Sequence, residues 1–409
     1  MSGTGRSLPL IPENRSRKDA MTDIFILSAA RTAIGGFGGS LSALPPIDIA
    51  TVAAKAALER AGIAPDRIGQ VVFGHVINTE PRDMYLSRVT AMNAGIPDST
   101  PAMNVNRLCG SGAQAIVSAM QMLALGDADF ALAGGAECMS RSPYALTAAR
   151  WGQKMGDTRA LDMMTGALTC PFGTGHMGVT AENVASRYGI TREAQDIFAH
   201  QSQQRAAQAI AEGRFVDQIV PVEMPSRKGT IQFAQDEHPK ATSLAALAGL
   251  RPAFQKEGTV TAGNSSGIND GAAALVLARG DALGGLRPRA RLMGYAIAGV
   301  EPTVMGLGPI PAVRLLCARL GMQPGDFDLV ESNEAFAAQA LAVSAELGLD
   351  PERVNPNGGA IALGHPVGAT GALITTKALY ELERSGGKTA LVTMCIGGGQ
   401  GIALALEAV

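Results

Sequence analysis

Apolar and polar positions along the chain change period many times. Short apolar runs predict strands: IFILSAA (24–30), VVFGHVI (71–77), FALAGGA (130–136), ALVLA (274–278), LVESNEA (329–335) and ALVTMCIGGG (390–399). Between them, Ala/Leu-rich stretches at 47–61 and 371–384 carry helical spacing. This alternation predicts a layered α/β fold with mostly parallel strands. The most clearly bounded helix lies within NVNRLCGSGAQAIVSAMQMLALG (104–126), where Ile116, Val117, Met120, Leu123 and Ala124 share a face and Gly126 is the stop.

The two ends of the chain repeat one pattern. Asn104-Val105-Asn106 leads into glycines, a helix from Gly112 and a strand near Phe130; Asn355-Pro356-Asn357 leads into glycines, a helix from Gly371 and a strand near Thr389. The spacing from helix to strand is the same in both, which predicts a structural duplication. A pseudo-twofold would carry Cys109 and His365, each near a helix entrance, to one central face. The middle, 140–265, breaks the alternation with the single Trp151, Met- and Gly-rich pieces, a helix near 191–212 and the polar SRKGTIQFAQDEHPK (226–240). It reads as an inserted loop domain covering a site.

Composition narrows the class. The 409 residues are 46% hydrophobic and 17% charged, which excludes disorder and suits a well-buried core. A net charge of −2 leaves no basic stripe for nucleic acid. The five cysteines, at 109, 138, 170, 317 and 395, show no CxxC spacing, so neither a zinc site nor a disulfide framework is implied and a reducing compartment is expected. No apolar run spans a bilayer uninterrupted. Residues 1–20 are polar and predict a disordered extension rather than a secretion signal.

Four segments carry chemistry. In NRLCGSG, Cys109 stands where a glycine-rich turn enters a helix whose free amides favour a thiolate. ESNEAFAAQ (331–339) presents Asn333 at the end of a strand and the start of a helix. NPNGGAIALGHPVGATG (355–371) places His365 between Gly364 and Pro366, and LVTMCIGGGQG (391–401) puts Cys395 at a strand end before three glycines. Taken singly, each has a second reading: Cys109 and Cys395 as small buried residues, His365 as a turn residue capping local backbone, Asn333 as a helix N-cap.

Together these segments resemble the thiolase family, from about residue 21 to the C-terminus. VINTEPRDMYLSRVTAMNAG (76–95), ARWGQKMGD and GHMGVTAENVA are most similar to its bacterial broad-specificity β-ketothiolases and acetyl-CoA acetyltransferases. The resemblance implies duplicated βαβαβαββ halves in an αβαβα five-layer sandwich: a first half over 21–139, a loop domain over 140–265, a return over 266–290 and a second half over 291–409. It implies a homotetramer acting on acetyl-CoA, acyl-CoA or 3-ketoacyl-CoA and CoA; a cytoplasmic setting is expected from the cysteine pattern, and no metal or redox cofactor is indicated. Acyl chain length, and a role in fatty-acid breakdown or polyester precursor supply, stay open.

The implied roles fit the residue types. Cys109 takes the acyl group as a thioester, His365 takes the thiol proton, and Cys395 moves a proton at the acetyl-CoA methyl. Asn333 holds a water that, with His365, stabilises the enolate oxygen, and the amides of Cys109 and Gly397 form a second oxyanion hole. The resemblance further points to Ser266 and His176 beside the pantetheine arm, and to Lys240 facing the nucleotide phosphates. Met177, Met305 and Phe336 are candidates for the acyl-pocket lining. Lys240 reads equally as a solvated loop charge, and the methionines as core.

Rival patterns are weaker. Gly263-Asn264-Ser265-Ser266-Gly267 satisfies the GxSxG nucleophile elbow of hydrolases, with His365 available as base, but leaves the Cys109 segment unexplained. Gly387-Lys388-Thr389 ends like a phosphate-binding loop, yet position 382 is Leu where that loop needs Gly. A decarboxylating ketosynthase would place a second histidine where Cys395 stands.

Overall fold

The computed structural model describes residues 22–226 and 229–409; the extension expected over 1–20 lies outside the described residues. Nine strands form one continuous sheet: β1 (Ile24–Arg31), β2 (Gln70–Gly74), β3 (Ala102–Val105), β4 (Phe130–Cys138), β5 (Asn269–Arg279), β6 (Ala290–Gly299), β7 (Leu329–Ser332), β8 (Thr389–Ile396) and β9 (Gln400–Ala408). Their spatial order is β7-β8-β9-β6-β1-β5-β4-β2-β3. Gly35–Gly36 adds a short pairing on Asn269 and Asp270.

The duplication is visible in the strand directions. In the first half, β1 and β5 run antiparallel, as do β5 and β4, while β4, β2 and β3 run parallel. The second half repeats this: β6 and β9 are antiparallel, as are β9 and β8, and β8 and β7 are parallel. A parallel bridge from Val330 to Val354 stands where a fifth strand would lie. Within the sheet, the ladder between the halves has two residue pairs among the described residues, Phe25 with Arg291 and Ile26 with Ala290.

The expectation of mostly parallel strands is therefore corrected: most ladders are antiparallel. In the first half β5 runs against both β1 and β4, and in the second half the reversal comes from β6 and β9, which the apolar pattern did not expose. Arg291 and Gly294 interrupt the first, and the second follows β8 through a tight glycine turn that forces reversal. The runs VVFGHVI and LVESNEA also overshoot their strands, which end at Gly74 and Ser332.

Helices α1 (Pro46–Ala61) and α2 (Leu86–Asn93) pack on the first half of the sheet. Between the two halves lie α3 (Ser111–Leu125) and α8 (Thr370–Ser385), with α4 (Met177–Tyr188), α5 (Arg192–Ala211), α6 (Pro309–Leu320) and α7 (Ala337–Leu347) intervening in sequence. Alternate residues of β8 show the layering: Ala390, Val392 and Met394 join the central core, and Leu391 joins the outer core beneath α6 and α7. α3 is apolar on nearly all sides because it is buried on nearly all sides, and Gly126, at φ 85°, ends it as expected. The stretch Leu108–Leu125 is long and apolar enough to cross a membrane, yet it carries the helix packed between the two halves.

The entrances of α3 and α8 meet backbone to backbone. A Cβ on Gly112 would come within 2.6 Å of Ala372 N, and one on Gly371 within 2.1 Å of Ala113 N. Only glycine permits that approach, and it draws the Cys109 turn and the His365 turn together.

The segment between β4 and β5 holds α4, α5, short hairpins at Tyr144–Ala145 with Leu161–Asp162 and at Thr169–Cys170 with Gly175–His176, and the ribbon Val222–Ser226 with Gly229–Phe233.

Candidate active site

One cavity of about 570 Å³ collects residues from both halves and from the inserted segment. Cys109, His365, Cys395 and Gly397 line it, as do Ser266, His176, Lys240, Met177, Met305 and Phe336. Its size suits a small-molecule site, and its wall is mostly apolar with a few polar groups. Asn333 is not among the lining residues. It is 1% exposed, just past β7, and neither atom of its side-chain amide has a partner among the described residues.

Cys109 is held by a strained turn. Leu108 has φ 46°, a left-handed conformation that costs about 1–3 kcal/mol in a residue with a Cβ. Side chains brace it: Leu108 N–H donates to Asn106 Oδ1 at 3.0 Å, and Ser111 Oγ donates to Leu108 O at 2.7 Å while accepting the Arg107 N–H at 2.9 Å. The Cys109 thiol pKa is raised. Burial is the largest cause and the Glu137 charge adds to it; the N–H groups of Gly397 and of Cys109 itself pull the other way. The amides act in the expected sense, toward the thiolate, but desolvation outweighs them.

His365 has a defined tautomer. Its Nδ1 lies 2.6 Å from Thr370 Oγ1, and the Thr370 hydroxyl donates its single proton to Pro366 O at 2.8 Å. Thr370 must therefore accept from Nδ1–H, which leaves the lone pair on Nε2. Nε2 is buried without a partner among the described residues. Burial lowers the imidazole pKa to about 4, so the ring is neutral near pH 7. Asn269 Oδ1 accepts the His365 N–H at 2.9 Å and fixes the turn. The ring thus bonds a hydroxyl rather than capping backbone.

Cys395 sits 1% exposed in an apolar cluster with Met177, Met305, Ala335 and Phe336. Burial raises its thiol pKa well above the ordinary range, and the neighbouring Cys109 raises it further. Asn333 does not cap a helix: α7 begins only at Ala337, with Phe336 at the N-cap. Glu334, beside it, accepts from Ser202 Oγ at 2.7 Å and Asn355 Nδ2 at 2.9 Å, which pins this loop both to α5 of the inserted segment and to the rest of the second half.

Also on the cavity wall, Phe254 stacks on His176 with ring centroids 4.8 Å apart and meets Phe336 edge-on at 6.0 Å. His176 Nδ1 accepts the Gly178 N–H at 3.1 Å, so the proton of this neutral ring is on Nε2. Phe254 and Thr370 carry much of the geometry, and the periodicity of the chain flags neither. Phe254 lies in an aperiodic loop, and Thr370 reads as an ordinary helix-start residue.

The hydrolase pattern fails here. Ser265 Oγ donates to Thr261 O at 2.7 Å, and the segment leads into β5 rather than a helix, so no nucleophile elbow exists. Cys138 is buried at the end of β4 against Leu41 O, and its thiol is pushed up by burial and by Asp270.

Two sulfurs, a neutral imidazole and the amides of Cys109 and Gly397 converge on one cavity, a set of groups suited to acyl transfer. Family models for the thiolase N-terminal domain and the thiolase C-terminal domain match residues 24–281 and 286–408. The chain belongs to the thiolase family and is an acyltransferase. It is 57% identical over 389 residues to beta-ketothiolase BktB of Cupriavidus necator, covering 94% of this chain and 99% of that protein. The fold is similar to the crystal structure of the Bacillus anthracis acetyl-CoA acetyltransferase, with TM-score 0.93, 44% identity and coverage of 96% and 100%. It is also similar to human mitochondrial 3-ketoacyl-CoA thiolase in complex with CoA, with TM-score 0.92, 43% identity and coverage of 95% and 98%.

Proposed function

We propose that the protein catalyses reversible thiolysis of 3-ketoacyl-CoA, and the reverse Claisen condensation of acyl-CoA with acetyl-CoA, through an acyl group carried on Cys109. The observation that carries this reading is that Cys109, His365, Cys395 and Gly397, drawn from both halves, line one cavity.

At rest Cys109 is a thiol and His365 a neutral base. As the sulfur attacks the thioester carbonyl, its proton passes to His365 Nε2, and the departing CoA sulfur takes the proton of the Cys395 thiol, which leaves a Cys395 thiolate beside the imidazolium. The N–H groups of Cys109 and Gly397 receive the charge that develops on the carbonyl oxygen; losing one such donor costs ~100-fold or more in rate. The Cys395 thiolate then removes a proton from the acetyl-CoA methyl, the carbanion attacks the Cys109 thioester, and the expelled Cys109 sulfur takes back the proton held on His365. The high pKa of Cys395 suits the proton removal, because a thiolate held in an apolar cluster is a strong base. In the degradative direction Cys395 returns that proton and CoA accepts the acyl group. Asn333 orients a water that, with His365, stabilises the enolate oxygen.

The inserted segment over 140–265 covers the CoA arm. His176 Nε2–H and Ser266 face the pantetheine, Lys240 the nucleotide phosphates, and Met177, Met305 and Phe336 the acyl group. The reaction needs no metal or redox cofactor from the protein. Five unpaired cysteines support a cytoplasmic setting. Trp151 at 84%, Met155 at 91% and Tyr144 at 66% exposure on the inserted segment support burial of that surface in a homotetramer.

The test is 3-ketoacyl-CoA thiolysis across chain lengths, followed by loss of the substrate's enolate absorbance. The parent enzyme is expected to turn over and the Cys109→Ala variant to lose both directions; turnover at the parental rate by that variant would end the reading.

A further inference from the structure

We propose that Arg107 is a positioning residue that locks the nucleophile turn of the first half to the glycine turn of the second half, through a guanidinium fork shared by Gln114 and Gln400. The proposal rests on the reading of Cys109 as nucleophile and of the Gly397 N–H as a donor to the oxyanion.

Arg107 stands two places before Cys109 and outside the cavity lining. Its Nε–H donates to Gln114 Oε1 at 2.9 Å, and its Nη1–H donates to Gln400 Oε1 at 2.8 Å. Gln114 lies on α3 and is itself oriented by donating Nε2–H to Ser118 Oγ at 3.0 Å. Gln400 opens β9, directly after the Gly397–Gly399 turn. One planar group thus touches the first-half helix and the second-half turn, and its own backbone leads into the Cys109 turn.

The far side of the glycine turn is fixed by backbone. Val300 N–H donates to Gly399 O at 2.7 Å, and a Cβ on Gly399 would come within 2.3 Å of Val300 O. On the side toward Cys109, the tie is the Arg107–Gln400 bond. The interval it controls is tight: a Cβ on Gly397 would meet Leu108 Cδ1 at 3.2 Å. The two oxyanion donors come from different halves, so their separation depends on what crosses between the halves at this point.

The charge of Arg107 is not used in pairing, since among the described residues it forms no ion pair. Its geometry is what is used. A lysine ammonium is a point donor and does not reproduce a planar fork held to two fixed oxygens. Misplacing a catalytic group by about 1 Å costs ~100-fold in rate.

The experiment compares full-length Arg107→Met, Arg107→Lys, Gln400→Met and the Arg107→Met/Gln400→Met double variant in steady-state thiolysis. A second readout is the pH dependence of Cys109 alkylation by iodoacetamide. The single Met variants are expected to lose ~10-fold or more in kcat, with KM for CoA within about twofold. Arg107→Lys is expected to fall between them and the parent. The double variant is expected to be no slower than the worse single variant, because both remove one bond. Withdrawing the Gly397 N–H leaves the thiolate less stabilised against burial and the Glu137 charge, so the alkylation midpoint is expected to move to higher pH.

Parental kcat in a folded Arg107→Met variant, an unmoved alkylation midpoint, or multiplicative losses in the double variant would overturn the proposal. If Arg107→Met does not fold, Gln400→Met decides by the same criteria. A parent without thiolysis activity would instead defeat the functional reading, while the alkylation midpoint would still report on the clamp.

Discussion

His365 and Thr370 stand in a fixed donor–acceptor order: Nδ1–H donates to Oγ1 over 2.6 Å because the hydroxyl proton is committed to Pro366 O. One hydroxyl on the first turn of α8 therefore decides which imidazole nitrogen is the base. Thr370→Val is expected to reduce kcat by ~10–100-fold, as loss of an orienting partner does at other imidazole sites, and Thr370→Ser is expected to restore most of it. Steady-state kinetics check this. Equal activity in the Val and Ser variants would contradict the assignment.

The depressed imidazole pKa sets a pH dependence. His365 stays unprotonated until well below the ordinary imidazole value, toward about 4, because burial disfavours the cation. The acid limb of kcat/KM is expected to lie below pH 6.5, and a midpoint at or above that value would be inconsistent with this site. Stability follows the same sign. Between pH 6.5 and about 4 the unfolded chain binds a proton at His365 that the native chain does not, so this residue's contribution falls as pH falls. His365→Asn should flatten the parent's pH–stability curve over that window in urea denaturation. Glu137, whose carboxyl is raised by burial, acts in the opposite sense in both proteins and cancels in the comparison.

The backbone contact between α3 and α8 leaves no room for a side chain. Gly371→Ala places a Cβ 2.1 Å from Ala113 N, a rigid helix atom, and is expected to destabilise the fold by about 1–3 kcal/mol. Urea denaturation measures it, and an unchanged midpoint would show that the two halves slide apart freely.

Much of this was legible in the chain. The duplication showed because both halves spell the same turn–helix–strand phrase, and both phrases carry a chemistry-bearing residue at the helix entrance. The strand directions were not legible. A strand such as β6, with Arg291 and Gly294 inside it, has no clean alternation, and pairing direction depends on connections that periodicity does not report. The site was legible as residue identities but not as states. Local dipoles at the helix entrance favour a Cys109 thiolate, whereas its protonation is set by desolvation, which depends on everything that folds over it. Phe254, Thr370 and Arg107 were hidden for a related reason: a loop aromatic, a helix-start threonine and a lone arginine gain meaning only from partners distant in sequence or from a hydrogen-bond order.

The division of labour between the two sulfurs is the centre of the account, and the Cys395→Ala variant tests it most directly. Incubated with acetyl-CoA and examined by intact mass and peptide mapping, the variant is expected to carry one acetyl group, on Cys109, and to form no acetoacetyl-CoA. Acetyl found elsewhere or not at all, or condensation at the parental rate, would contradict it.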